Sequence, residues 1–129
     1  MLQAYSDNIS VGNQAIPLNN VVLQAGNTVT LSGVGTVSLN CPGIYCRSVD
    51  GYCEPSTVGD VEIQMYSNGI AQPQAKSTFT GATGDINSFG FDTKVKIKCN
   101  CDAPATIQFV NSGVAVTGLH FNVNVTKIK

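Results

Sequence analysis

The sequence has no tryptophan, few charged residues and no long apolar run, and each absence narrows the class of protein it can belong to. Charged residues make up 12% of the chain and the formal net charge is −1, so we expect no nucleic-acid partner. No apolar run approaches the roughly 20 residues of a membrane-spanning helix, so we expect no membrane partner. Residues 1–7 have neither a basic region nor an apolar core, and we expect no signal peptide.

The sequence also lacks the motifs of catalytic and metal centres. His120 is the one histidine, and nothing in the sequence places a nucleophile and an orienting group beside it. There are five cysteines, an odd number: Cys41, Cys46, Cys53, Cys99 and Cys101. Their spacings match no zinc ribbon, and we expect free thiols; a disulfide among the first three and a metal site are the alternatives. We therefore predict no catalytic residue, no metal, no cofactor and no enzyme activity.

The sequence does contain one strongly alternating segment, from Phe89 to Cys99. Val95 and Ile97 have one parity, while Lys94, Lys96 and Lys98 have the other. Because a β-strand sends successive side chains to opposite faces, the segment predicts a strand with one apolar and one charged face. The three lysines form a candidate exposed basic stripe. The stripe suits a polyanion or an anionic glycan, but we expect it to maintain solubility and discourage edge pairing.

Similar strand patterns recur along the chain, and no segment shows a sustained helical period. Strands are predicted at 16–23, 28–32, 36–40, 44–49, 61–66, 70–80, 88–99, 105–110 and 116–128. Asn68-Gly69 predicts a tight reversal, and residues 50–57 are predicted to form a loop. About nine or ten strands without a helix predict an all-β protein with a single-domain antiparallel β-sandwich. The polar residues 1–13 are predicted to form an arm before a domain at 14–129.

The second half of the chain resembles the tumour-necrosis-factor-like jelly roll. In that superfamily an alternating strand ends in an Asn-Gly turn, as at Asn68-Gly69, and a short x-I-x-x-x-N-S strand follows later, as at Thr106–Ser112. A final apolar strand closes the domain, as 119–128 does. The chain is also similar to small proteins of this type encoded by Gram-positive bacteria and their phages. Those have a similar N-N-V-V-L segment, here Asn19–Leu23, and a late cysteine pair, here Cys99 and Cys101.

The resemblance implies a compact homotrimer that acts by presenting surfaces. We expect a non-enzymatic phage virion protein, made in the host bacterial cytoplasm: a trimeric capsid decoration or head-fibre/knob protein. Its partner would be the major capsid protein or another virion component. The alternative is a carbohydrate- or receptor-binding module, as in a tail tip or a cell-surface adhesin, with a glycan or receptor as its ligand. In the family the strand with the three lysines faces the threefold axis, so we expect acidic partners there or a partly open face.

Two further sets of residues are predicted to make contacts. The candidate docking arm consists of Leu2, Gln3, Ala4 and Tyr5. The candidate presentation loops carry Asp50, Tyr52, Glu54, Thr83 and Asp85.

Overall fold

The computed structural model describes residues 1–99 and 104–129. These residues form ten strands and no helix. The strands are β1 (Leu2–Val11), β2 (Asn20–Gln24), β3 (Val29–Ser32), β4 (Thr36–Leu39), β5 (Gly43–Pro55), β6 (Gly59–Ser67), β7 (Ile70–Gly81), β8 (Asn87–Ile97), β9 (Ala105–Asn111) and β10 (Val116–Lys127). The prediction of an all-β protein is confirmed.

The ten strands form two five-stranded sheets that pack face to face. Sheet 1 has the order β2-β1-β10-β5-β8, and sheet 2 has the order β3-β4-β9-β6-β7. All strand pairs are antiparallel. The predicted antiparallel β-sandwich is therefore confirmed, and each sheet has one face on a shared core.

Strand β8 shows the predicted alternation. Phe89 and Ile97 are buried against the core, whereas Lys94 and Lys96 are exposed on the outer face of sheet 1. The strand pairs with β5 from Gly43↔Ile97 to Cys53↔Asn87 without a register shift. It ends at Ile97, so Lys98 follows the strand and is exposed.

The core is joined across the two sheets by aromatic contacts. Phe109 of sheet 2 lies edge-on to Phe121 of sheet 1, with ring centroids 5.4 Å apart and planes at 62°. Phe89 and Phe91 extend this contact, at 5.9 Å from Phe121 and 6.5 Å from Phe109 respectively. Such pairs add about 0.5–1.5 kcal/mol each beyond the apolar area they bury, so they fix how the sheets are aligned.

The turn between β6 and β7 is the predicted tight reversal. Asn68 and Gly69 have φ values of 51° and 80°, the left-handed pair that a two-residue hairpin needs. The Asn68 side chain also accepts hydrogen bonds from the backbone N–H and hydroxyl of Thr106, at 2.8 and 3.3 Å. The turn is thereby attached to the start of β9.

The predicted N-terminal arm is wrong. Residues 2–11 form β1, which lies between β2 and β10, and Leu2 and Ala4 are buried in the core. The alternation is concealed in the sequence because register shifts interrupt the strand after Ser6 and because Ser6 itself is buried. Its hydroxyl donates to the carbonyl of Pro17 and accepts the backbone N–H of Asn19. The predicted division between an arm at 1–13 and a domain at 14–129 is wrong for the same reason.

The predicted loop at 50–57 is also largely wrong, because β5 continues to Pro55. Gly51 has a packing role in this strand. A Cβ there would lie 2.0 Å from the carbonyl oxygen of His120 and 3.0 Å from the ring of Phe89. Glycine is therefore required by the close approach of β10 and not by a reversal of the chain. Asp50 and Tyr52 lie on a strand.

Candidate interaction surfaces

The outer face of sheet 1 carries an aromatic group centred on His120. Tyr52 lies opposite His120 in the β5–β10 pairing, and their rings stack with centroids 5.1 Å apart and planes at 17°. Tyr5 of β1 approaches the imidazole from the other side, with centroids 6.4 Å apart. The Nδ1 atom of His120 lies 3.1 Å from a carboxylate oxygen of Asp7. Three strands thus contribute rings and a carboxylate to one place.

Side-chain amides continue this surface along the strands. Asn122 donates from Nδ2 to Asp50 at 3.1 Å, and Gln3 donates from Nε2 to the side-chain oxygen of Asn122 at 3.4 Å. We call the whole set the aromatic–amide cluster: Gln3, Tyr5, Asp7, Asp50, Tyr52, His120 and Asn122. Its carboxylates, amides and imidazole contact one another, while 45% of the surface of Tyr52 stays exposed. Such a surface of rings and amides suits contact with another macromolecule.

The cluster unites residues that the sequence assigned to separate segments. Gln3 and Tyr5 were predicted in a docking arm, whereas Asp50 and Tyr52 were predicted in a presentation loop. The other two arm residues, Leu2 and Ala4, point into the core. The parity of His120, Asn122 and Asn124 signalled a polar or interface face. This alternation does not predict that β10 pairs with β1 and β5, because those strands are distant in the sequence.

The basic stripe lies on the same outer face, at its β8 edge. Lys94 and Lys96 are exposed and pair with Cys46 and Ile44 of β5. Within the described parts of the chain, no carboxylate lies within salt-bridge distance of these lysines. The outer face of sheet 1 therefore has a basic region next to the aromatic–amide cluster.

The remaining presentation residues meet at the end of the sandwich where β5 ends. A carboxylate oxygen of Glu54 accepts the backbone N–H of Gly84 at 2.8 Å. The Thr83 hydroxyl donates to the carbonyl of Ser56 at 3.1 Å, and Asp85 accepts the N–H of Ala82 at 3.3 Å. The first two bonds join the end of β5 and the β5–β6 loop to the β7–β8 loop, and the third lies within the β7–β8 loop, so these segments form one surface.

Two ionisable groups are buried between the sheets. Arg47 is 2% exposed, and desolvation lowers its pKa to about 10. Cys53 is 1% exposed, and burial raises the pKa of its thiol to about 11. Neither shift produces a reactive group near neutral pH, because the guanidinium stays charged and the thiol stays protonated.

The cysteines follow the prediction in part. Cys41, Cys46 and Cys53 are free thiols, as expected. Cys99 is disulfide-bonded, so the expectation of a free thiol is wrong for this residue, and Cys101 lies outside the described residues. Within residues 1–99 and 104–129 no group of three metal-ligating side chains occurs. No helix in these ranges is long and apolar enough to cross a membrane.

A pocket of about 350 Å³ opens between the β1–β2 connection and the β3–β4 hairpin. Ile16, Pro17 and Val34 supply apolar walls, and the side chain of Gln108 donates to the Thr36 hydroxyl at 3.0 Å on the pocket wall. The amide is thus already bonded within the protein. None of the predicted contact residues lines this pocket.

Comparison with known proteins identifies the fold. The sequence matches no protein-family model and no curated protein. The structure is similar to the globular domain of zebrafish complement 1qA protein, with a TM-score of 0.71 and 10% identity over 99% of this chain and 96% of that one. The fold is a tumour-necrosis-factor-like jelly roll.

Two other solved structures extend the comparison. The Eiger TNF of S. frugiperda has a TM-score of 0.71 and 14% identity, over 98% of this chain and 92% of that chain. PRD1 vertex protein P5 has a TM-score of 0.57 and 12% identity, over 99% of this chain and 96% of that chain. At these identities the similarity shows the fold, and the predicted jelly roll is confirmed.

Proposed function

We propose that this chain is a non-enzymatic structural protein of a phage virion, which works as a homotrimer: a capsid decoration protein or a head-fibre knob. The observation that carries the proposal is the aromatic–amide cluster. Its carboxylates, amides and imidazole contact one another, and its rings lie on the outer face of a five-stranded sheet. A surface of this composition suits burial against a second protein, with the two tyrosine hydroxyls left to bond the partner.

A neighbouring copy offers a matching surface at the open edge between β7 and β8. Phe79 of β7 and Phe91 and Val95 of β8 pack against the core but are only partly buried. Placing this apolar edge on the aromatic–amide cluster of the next copy would cover both surfaces. Such a contact joins two different patches, and repeated by rotation it closes into a ring. The family resemblance favours three copies.

The lysines of β8 are compatible with this arrangement. Lys94 and Lys96 would approach the neighbouring face, where Asp7 and Asp50 carry carboxylates within the cluster. Pairing with these carboxylates would offset the free-energy cost of burying the lysines. The ion pairs form between copies and not within one.

Two similarities support a role in the virion. The sequence resembles small jelly-roll proteins of Gram-positive bacteria and their phages, and one structural neighbour is named a vertex protein. Since Leu2 and Ala4 are built into β1, docking to the major capsid protein or another virion component would use exposed faces and loops of the sandwich and not a free arm.

The first experiment measures solution mass by light scattering on a sizing column. We expect three times the 13.5 kDa chain mass. Tyr52→Asp should reduce the mass to that of one chain, because it puts a charge into the proposed contact. Val34→Asp, at a turn residue that is 66% exposed, should leave the trimer intact. A wild-type protein that remains monomeric at all concentrations overturns the trimer.

The virion assignment needs its own measurement. Mass spectrometry of gradient-purified particles of the encoding phage should find the chain in a fixed ratio to the major capsid protein. Its absence from purified particles overturns the structural role, whatever its solution mass.

The linked loops favour a second candidate, a carbohydrate- or receptor-binding module. Bonds from Glu54 to Gly84 and from Thr83 to Ser56 hold these loops in one arrangement, as a binding site requires. Glycan arrays and saturation-transfer NMR separate the candidates. A decoration protein should give no sugar signal, while a binding module should give signals that Thr83→Ala weakens.

A further inference from the structure

Most charged side chains of the described residues lie toward one or the other end of the sandwich, the basic ones toward one end and the acidic ones toward the other. We define the basic end as the end where β5 begins and β10 finishes, and the acidic end as the end where β5 finishes and β6 begins. Five exposed lysines lie toward the basic end: Lys94, Lys96, Lys98, Lys127 and Lys129. Four carboxylates lie toward the acidic end: Glu54, Asp60, Glu62 and Asp85.

The basic side chains are well separated from the acidic end, whereas Asp7, Asp50 and Asp92 lie along the strands between the two ends. The two other basic side chains are Arg47, which is buried in the core, and Lys76, which lies along β7 opposite Gln64. No Lys or Arg of the described ranges therefore reaches the acidic end. Asp102 lies outside those ranges. The net charge of −1 thus conceals a molecule with opposite charges at its two ends.

Each end also exposes aliphatic side chains at its tip. Val58 and Ile86 on the joined loops of the acidic end are 75% and 72% exposed. At the basic end Ile70, the first residue of β7, is 68% exposed and Ile128 is 52% exposed. Each end therefore has the composition of a contact surface, with apolar residues surrounded by charges of one sign.

We propose that copies of this protein associate end to end, with the acidic end of one copy on the basic end of the next. The occupant is a second copy because each end has the charge complementary to the other, with apolar side chains to bury on both sides. The contact joins two different patches related by translation along the strands, so it does not close and instead builds a linear stack. Both single chains and trimers of parallel chains can associate in this way. The end-to-end association goes beyond the proposed function.

The test uses sedimentation velocity of the full chain over a range of concentrations, at about 50 mM and about 500 mM salt. We expect species heavier than the basic unit, and we expect association to weaken at least tenfold at the higher salt. The double variant Val58→Lys/Ile86→Lys replaces two exposed aliphatic side chains of the acidic end by positive charges, and Lys96→Glu/Lys129→Glu puts two negative charges among the lysines of the basic end. Neither should stack by itself, whereas an equimolar mixture should associate again.

A matched control adds the same charge elsewhere. Val21→Lys/Val22→Lys alters two exposed valines on the edge strand β2, 47% and 56% exposed, and should stack like the wild type. Circular dichroism checks that each variant is folded. Stacking that survives both end variants overturns the proposal, and so does a wild type that never exceeds its basic unit. A trimer whose mass does not change with salt would overturn the end-to-end association and leave the proposed function unaffected. Stacks built of single chains would support the end-to-end association and overturn the proposed trimer.

Discussion

Arg47 of β5 donates a hydrogen bond from Nη2 to the carbonyl oxygen of Lys94 on the edge strand β8, across 3.5 Å. Its Nε has no hydrogen-bond partner, and the side chain is 2% exposed. The guanidinium is therefore a desolvated charge with a single weak bond, which explains why its pKa falls to about 10.

Replacing Arg47 by methionine should stabilise the fold. Arg47→Met keeps much of the volume and removes the desolvated charge, so we expect the free energy of unfolding to rise by about 1–3 kcal/mol at pH 7. Arg47→Ala leaves a cavity and should lower it by about 2–4 kcal/mol. Urea denaturation followed by circular dichroism measures both. A substantial loss in Arg47→Met would contradict this account and indicate a partner for the guanidinium.

The Cys53 thiol should make stability fall at alkaline pH. Its folded-state pKa of about 11 lies above the ordinary value of 9.0, so the unfolded chain loses this proton first and gains stability as pH rises from about 9 to 11. At pH 10.5 the wild type should lose about 2 kcal/mol from this residue relative to pH 8. The difference between wild type and Cys53→Ala should narrow by that amount. A difference that stays constant with pH would show that the thiol does not titrate as described.

Gly51→Ala should strongly destabilise the protein. Its Cβ would lie 2.0 Å from the carbonyl oxygen of His120, which forces β5 and β10 apart. We expect a loss of about 3 kcal/mol or more. Gly12→Ala is the matched control, because nothing lies within 4 Å of its Cβ position. Thermal unfolding of the two variants checks the pair, and equal melting temperatures would refute the close approach.

Asn111 should be the most sensitive polar residue of the β9–β10 connection. It is fully buried; Nδ2 donates to the carbonyls of Val114 and Gly12, and Oδ1 accepts the N–H of Gly113. Asn111→Ala leaves these groups without partners and should cost about 3 kcal/mol. Asn13→Ala removes one exposed bond to the same turn and should cost under about 1 kcal/mol. Urea midpoints compare them, and a loss at Asn111 no larger than at Asn13 would be evidence against this role.

How much the sequence predicts depends on whether a feature is local. The alternation of β8 and the Asn68-Gly69 turn are set by neighbouring residues, and both were predicted. Strand β1 was missed because Ser6 and the irregular register after it interrupt the apolar period. The prediction of a loop at 50–57 is wrong because the close approach of Gly51 to β10 leaves no mark in the neighbouring residues. The aromatic–amide cluster depends on which strands pair, and periodicity alone does not determine the pairing.

Sheet 1 places β10 between β1 and β5, so that Leu2 pairs with Val125 and Arg47 pairs with the same residue from the other side. During synthesis β1 and β5 therefore remain without their shared neighbour until β10 emerges from the ribosome. Contacts so distant in sequence make folding slow and leave strand edges open in the nascent chain. The final strand completes the hydrophobic core, which makes the sandwich a fold that can form only after translation of β10. Shortening β10 would leave an aggregation-prone, protease-sensitive intermediate.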